Sequence, residues 1–124
     1  FEEIRSIIDG VIDVKRIGVC FDTCHGFAAG YELRTKEALD TNLEHFDRVI
    51  GIGHLKIVHI NDSRGKLGSH LDRHEHIGMG SIGEEGFRLI LRHQTLKKLP
   101  MILETPIDQR RDDRGNLEKV RSLA

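Results

Sequence analysis

The chain has 124 residues, room for one domain of ordinary size but not two. Its 38% hydrophobic and 31% charged residues are the composition of a globular protein, and no apolar run approaches the roughly 20 residues that cross a bilayer. A net charge of -1 gives no whole-molecule attraction to nucleic acid, so any such binding must come from a local patch.

In chain order, Phe1, Ile4, Ile7 and Ile8 recur at helical spacing, which predicts a helix from Phe1 to about Val11 with Gly10 as its stop. Ile17 to Phe21 is a short apolar run ending in Asp22, the pattern of a buried parallel strand. Thr23 to Leu33 reads as a Gly/Ala loop. A second helix begins at Thr35, its N-cap, with Leu39, Leu43, Phe46, Val49 and Ile50 on the buried face and Gly51 and Gly53 ending it.

Lys56 to Asn61 is a second strand whose C-terminal end turns polar. Asp62 to Gly83 has no clean period and reads as one long loop, of the length that is usually functional or disordered. A third helix runs from about Gly83 to His93, and a third strand from Leu99 to Leu103 ends in Glu104, with Pro100 placed where no ladder hydrogen bond is lost. Arg110, Arg111 and Arg114 alternate with Asp108, Asp112 and Asp113 as a solvated, self-neutralised loop, and Asn116 is the predicted cap of a last helix carrying Leu117, Val120 and Leu123.

Strands alternating with helices predict parallel pairing. Three parallel strands cannot close a barrel, the chain starts at Phe1 without a Met, and it stops at Ala124 inside a helical pattern. Residues 1–124 are therefore expected to be the C-terminal fragment of a single larger α/β catalytic domain. Cys20 and Cys24 are spaced C-x-x-x-C, neither a redox C-x-x-C nor a zinc-ribbon pair. With nothing at the start resembling a signal peptide, both are expected to be reduced, buried thiols of an intracellular, cytoplasmic protein, or a nuclear or organellar one in a eukaryote.

The chemistry gathers where strands end. Asp22 closes the first strand and His25 follows it, His59 lies in the second, and Glu104 closes the third. In the long loop, Asp72 and His74 are two apart, so in an extended backbone they reach one point while Arg73 faces away. In α/β barrels such positions all serve one face. His59 alone is more often a hydrogen-bonded core residue, and Asp22 alone is often a helix cap; Glu104, after a wholly apolar run, is expected to be buried with a strong partner. Together, three histidines and three carboxylates exceed the needs of one tetrahedral ion and suit two divalent cations, with Zn²⁺ favoured by the His/carboxylate mixture.

Eight histidines is a high count for this length, and five of them (His54, His59, His70, His74 and His76) fall between residues 54 and 76. His76 is close enough to support a ligand from behind, whereas His45, His54, His70 and His93 read as surface residues. Arg73 is a candidate phosphate contact or, equally, the partner of a neighbouring carboxylate.

Gly18-Val19-Cys20-Phe21-Asp22-Thr23-Cys24-His25 with Phe27-Ala28-Ala29-Gly30-Tyr31, His59-Ile60-Asn61-Asp62-Ser63 with Gly68-Ser69 and Asp72-Arg73-His74, and Ile102-Leu103-Glu104-Thr105 resemble, in order, motifs of the endonuclease IV family of apurinic/apyrimidinic endonucleases. Arg64 stands where many members have Lys. The resemblance covers nearly the whole chain and implies a (β/α)₈ TIM barrel, of which this chain supplies about the last three β/α repeats.

It also implies a zinc-dependent DNA repair hydrolase, mostly monomeric, that acts on double-stranded DNA with abasic sites or blocked 3′ ends. Such an enzyme cleaves 5′ to the abasic site by metal-assisted hydrolysis and leaves a 3′-hydroxyl. Carried over by position, Asp22, His59 and Glu104 would bind one zinc, and His25, Asp72 and His74 another. Glu104 would also position the nucleophile, and Arg73 would be the DNA contact. The family holds three zinc ions, and ligands for about two are present here. The alternatives are a divalent-metal sugar isomerase or epimerase on the same barrel type, which has no need of the His25/Asp72/His74 set, and a non-catalytic interaction module, which would bind no metal.

Overall fold

Helix α1 (Glu2–Asp9) forms at the predicted place, with Glu2 and Glu3 in its first turn, where negative charge favours the positive end of the helix dipole. The computed structural model describes residues 1–124. Strand β1 (Val19–Asp22) leads directly into helix α2 (Thr23–Ala28), where a loop is expected. The Asp22 carboxylate starts this helix: Oδ1 accepts from the N–H groups of Cys24 at 2.8 Å and His25 at 3.0 Å. Six residues with a central Gly26 leave no readable period, so composition hides the element.

Helix α3 (Lys36–Val49) begins as predicted, with Thr35 Oγ1 accepting from Ala38 N–H at 3.2 Å. It ends at Gly51, whose φ of 93° strains any residue with a Cβ. Strand β2 (Leu55–His59) follows. The expected long loop contains a two-residue antiparallel pair, β3 (Asp62–Ser63) and β4 (His74–Glu75), that sets Asp62 opposite Glu75 and Ser63 opposite His74. Strands this short carry no period of their own.

Helix α4 (Gly83–Arg92) and strand β5 (Met101–Ile102) come next. Helix α5 (Asp113–Leu123) is capped by Asp112, whose Oδ1 accepts from Gly115 N–H at 2.7 Å. The predicted cap, Asn116, is instead buried inside the helix.

The main sheet is parallel in the order β1-β2-β5. A cluster of 16 buried apolar residues, Phe27, Phe46, Val58, Ile60, Phe87 and Ile90 among them, joins the helices to one face. Each such side chain contributes roughly 1.5–3 kcal/mol by leaving water. Residues alternate across a strand, so the other face carries Cys20, Ile57, His59 and Ile102, and no helix covers it. Cys20 is consequently exposed, against expectation, whereas Cys24 is buried as expected. No helix is long and apolar enough to cross a membrane.

Candidate metal centre

Register brings the strand-end ligands together. Asp22 is the direct partner of His59 across β1–β2, and His59 is the partner of Ile102, two residues before Glu104. His59 Nδ1 lies 2.9 Å from Glu104 Oε2 and 3.7 Å from Asp22 Oδ2. Asp22, His59 and Glu104 thus form one group whose ligand atoms all fall within 4.8 Å of one another.

A second group meets the first at Asp22. His25 Nε2 and His74 Nε2 are 3.4 Å apart, and His74 Nε2 is 3.9 Å from Asp22 Oδ2. Asp72 Oδ1 completes it from the solvent side, 3.0 Å from His25 Nε2 and 3.9 Å from His74 Nε2. Asp22 therefore faces both groups with one oxygen while its other oxygen caps α2. The cap and the site are not alternatives.

Exposure is graded across the centre. The Asp22 side chain is 8% exposed, His74 20%, Glu104 48% and Asp72 75%. Glu104 is therefore not the buried carboxylate expected after an apolar run: Leu99, Met101 and Leu103 pack against the core, while Glu104 alternates onto the face of exposed Ile102. Asp22, His25, His59, His74 and Glu104 make up two candidate metal groups that share Asp22, with Asp72 beside the second. Their imidazole nitrogens and carboxylate oxygens are donors that suit a borderline divalent ion.

The loop side of the site is braced by a polar network. Glu75, beside His74, accepts from Arg110 and pairs with Arg64 at 3.2 Å. Burial pushes its carboxyl up, but the Arg110 hydrogen bond and the His76 N–H outweigh this and leave it below the usual range. His76 is fully buried; it bonds Asp108 at 3.0 Å and Asn116 at 2.9 Å, and none of the ligand side chains. It braces the loop and does not back a ligand.

Arg110 spans Asp108 and Glu75, and Arg111 reaches the Ile77 carbonyl at 2.7 Å, so the Arg/Asp segment ties two loops together and is not self-contained. Of the histidines expected at the surface, His70 is exposed, whereas His93 is largely covered and bonds Asp40 at 3.2 Å. Arg73 is exposed and forms no ion pair; its guanidinium touches only the Asp72 carbonyl, at 3.3 Å.

Two residues not anticipated as functional anchor the centre. Asp62 is fully buried, and its carboxylate accepts from five N–H groups, those of Ser63, Gly78, Gly80, Ile82 and Gly83. A Cβ at Gly80 would collide with that carboxylate and with the Ser63 carbonyl. Asn61 is likewise fully buried and lies between Asp22 and Glu104. The readable signal for both was a polar pair placed directly after a buried apolar strand.

A sequence-family description, the xylose isomerase-like TIM barrel, matches residues 1–123. The chain belongs to the xylose isomerase-like TIM barrel family. Within it, the similarity is to endonuclease IV proteins, as the motifs led one to expect. A protein named "Probable endonuclease 4" from Methanoculleus marisnigri is 56% identical over 123 residues, which are 99% of this chain and 44% of that protein. The "Apurinic-apyrimidinic endonuclease" of Caenorhabditis elegans is 53% identical over 106 residues, 86% of this chain and 27% of that one.

The crystal structure of endonuclease IV from Thermus thermophilus superposes with a TM-score of 0.77 at 35% identity, covering 98% of this chain and 41% of that chain. The chain spans less than half the length of these relatives. The three-stranded sheet is thus a sector of a TIM barrel, and its uncovered face corresponds to a barrel interior.

Proposed function

We propose that this chain is the C-terminal fragment, residues 1–124, of the single TIM-barrel catalytic domain of a zinc-dependent DNA repair endonuclease that cleaves 5′ to an abasic site and leaves a 3′-hydroxyl. The observation that carries the reading is the pair of ligand groups meeting at Asp22 on the strand-end face. In this reading Asp22, His59 and Glu104 hold one zinc, and His25, Asp72 and His74 hold another. Bound there, the cations supply Lewis-acid neutralisation of charge on a phosphodiester. Glu104 orients the nucleophile, and Arg73, free of any carboxylate, receives the DNA phosphate through its planar guanidinium. The substrate is double-stranded DNA, bound through this local face because the chain as a whole is nearly neutral.

The alternative is a divalent-metal sugar isomerase or epimerase of the same barrel type, working with one cation. The second group is what separates the readings, since a single-metal isomerase has no use for it. Elemental analysis of the purified chain tests the proposal. About two zinc per chain, falling to about one when His25, Asp72 and His74 are all changed to alanine, is the expected result. A metal-free chain, or a content unmoved by the triple change, overturns it.

A further inference from the structure

Asp22 and Glu104 bring two carboxylate oxygens towards one imidazole nitrogen, and something must hold both with their lone pairs converging. Asn61 occupies the place for that work. Its Oδ1 accepts from the main-chain N–H of Glu104 at 2.8 Å. An N–H can meet only the carbonyl end of the amide, so this contact fixes which way the side chain points. The NH₂ group is thereby turned to the carboxylates, donating to Asp22 Oδ2 at 2.8 Å and reaching Glu104 Oε2 at 3.5 Å. One amide supplies one hydrogen to each carboxylate, on the same two oxygens that face His59 Nδ1.

Asn61 is itself held rigidly. Its main-chain N–H donates to Thr23 Oγ1 at 2.9 Å, and the Thr23 hydroxyl donates back to the Asn61 carbonyl at 2.7 Å. Both residues are fully buried. The remaining oxygen of Asp22 accepts from the start of α2, which leaves Oδ2, bonded to Asn61, as the oxygen that faces a cation. A neutral amide with two hydrogens suits this position: it offsets the mutual repulsion of two carboxylates without adding a charge that would compete with a cation.

We infer that Asn61 is a positioning residue that sets the Asp22 and Glu104 carboxylates for a single divalent cation shared with His59. The inference rests on the metal reading proposed above and extends it to a residue that donates no ligand atom.

The test uses Co²⁺ as the probe ion, in a His25→Ala background that leaves the Asp22/His59/Glu104 group as the binding site. Affinity is read by chelator competition and ligand geometry by the visible absorption per bound ion. Asn61→Ala is expected to weaken Co²⁺ binding roughly 10- to 100-fold, as loss of an outer partner of metal ligands does, and to alter the band shape. A purely structural role would lower the melting temperature of the metal-free chain and leave the spectrum per bound ion unchanged. If Asn61→Ala does not fold, Asn61→Asp keeps the shape and the Glu104 N–H contact while losing both donors, and it too is expected to change the spectrum. Unchanged affinity or an unchanged spectrum per bound ion in Asn61→Ala, or an unchanged spectrum in Asn61→Asp, overturns the inference. Failure of the His25→Ala parent to bind Co²⁺ overturns the metal reading of that group, and the inference with it.

Discussion

His74 Nδ1 lies 2.9 Å from the main-chain carbonyl oxygen of Glu104, so the backbone of one candidate ligand, at a strand end, orients another on the loop. A carbonyl can only accept, which places the proton of neutral His74 on Nδ1 and leaves the Nε2 lone pair facing His25 and Asp22. The expected outcome in long-range ¹H–¹⁵N spectra of the metal-free chain is an Nδ1–H tautomer for the neutral form of His74. An Nε2–H pattern would remove the orienting role of Glu104.

Asp62 is the mechanical root of the loop that carries His74. Burial pushes its carboxyl up, and only the five N–H groups around it offset the loss of water. Asp62→Ala strands those donors and is expected to destabilise the fold by about 3 kcal/mol or more in urea denaturation. A change within about 0.5 kcal/mol, what a surface substitution gives, would show that the loop re-pairs without it.

Asp108 links acid stability to the same loop. The Arg110 guanidinium, followed by His76, holds its carboxyl well below the ordinary value of 3.8. A carboxylate depressed in the folded state stabilises at pH above its unfolded value and loses that contribution as pH falls towards the folded one. The stability gap between the unsubstituted chain and Asp108→Asn is therefore expected to be widest near neutrality and to shrink as pH drops below about 4. A gap that holds constant from about pH 7 to about pH 3 would contradict the pairing.

The isolated 124-residue chain is expected not to nick abasic duplex DNA, because it provides three parallel strands of the barrel and spans 44% of the similar Methanoculleus protein. Zinc-dependent nicking by the purified chain, abolished by His59→Ala, would show instead that this sector is sufficient.

Much of this is legible in the sequence. Apolar runs ending in Asp22 and Glu104, with His59 in the strand between, and helical periods over α3 and α4, set the β/α alternation. Spacing alone paired Asp72 with His74. These features are local, written in residue type and period, so a single sequence determines them. What only the tertiary structure decided is long-range. It aligned Asp22 with His59, divided Asp22 between a helix cap and two ligand groups, and exposed Glu104 and Cys20 on the uncovered face. It also turned Asn61 and Asp62 from strand-end polar residues into buried anchors, because hydrogen-bond partners 16 to 43 residues away, such as Gly78 N–H and Glu104 N–H, leave no trace in local periodicity.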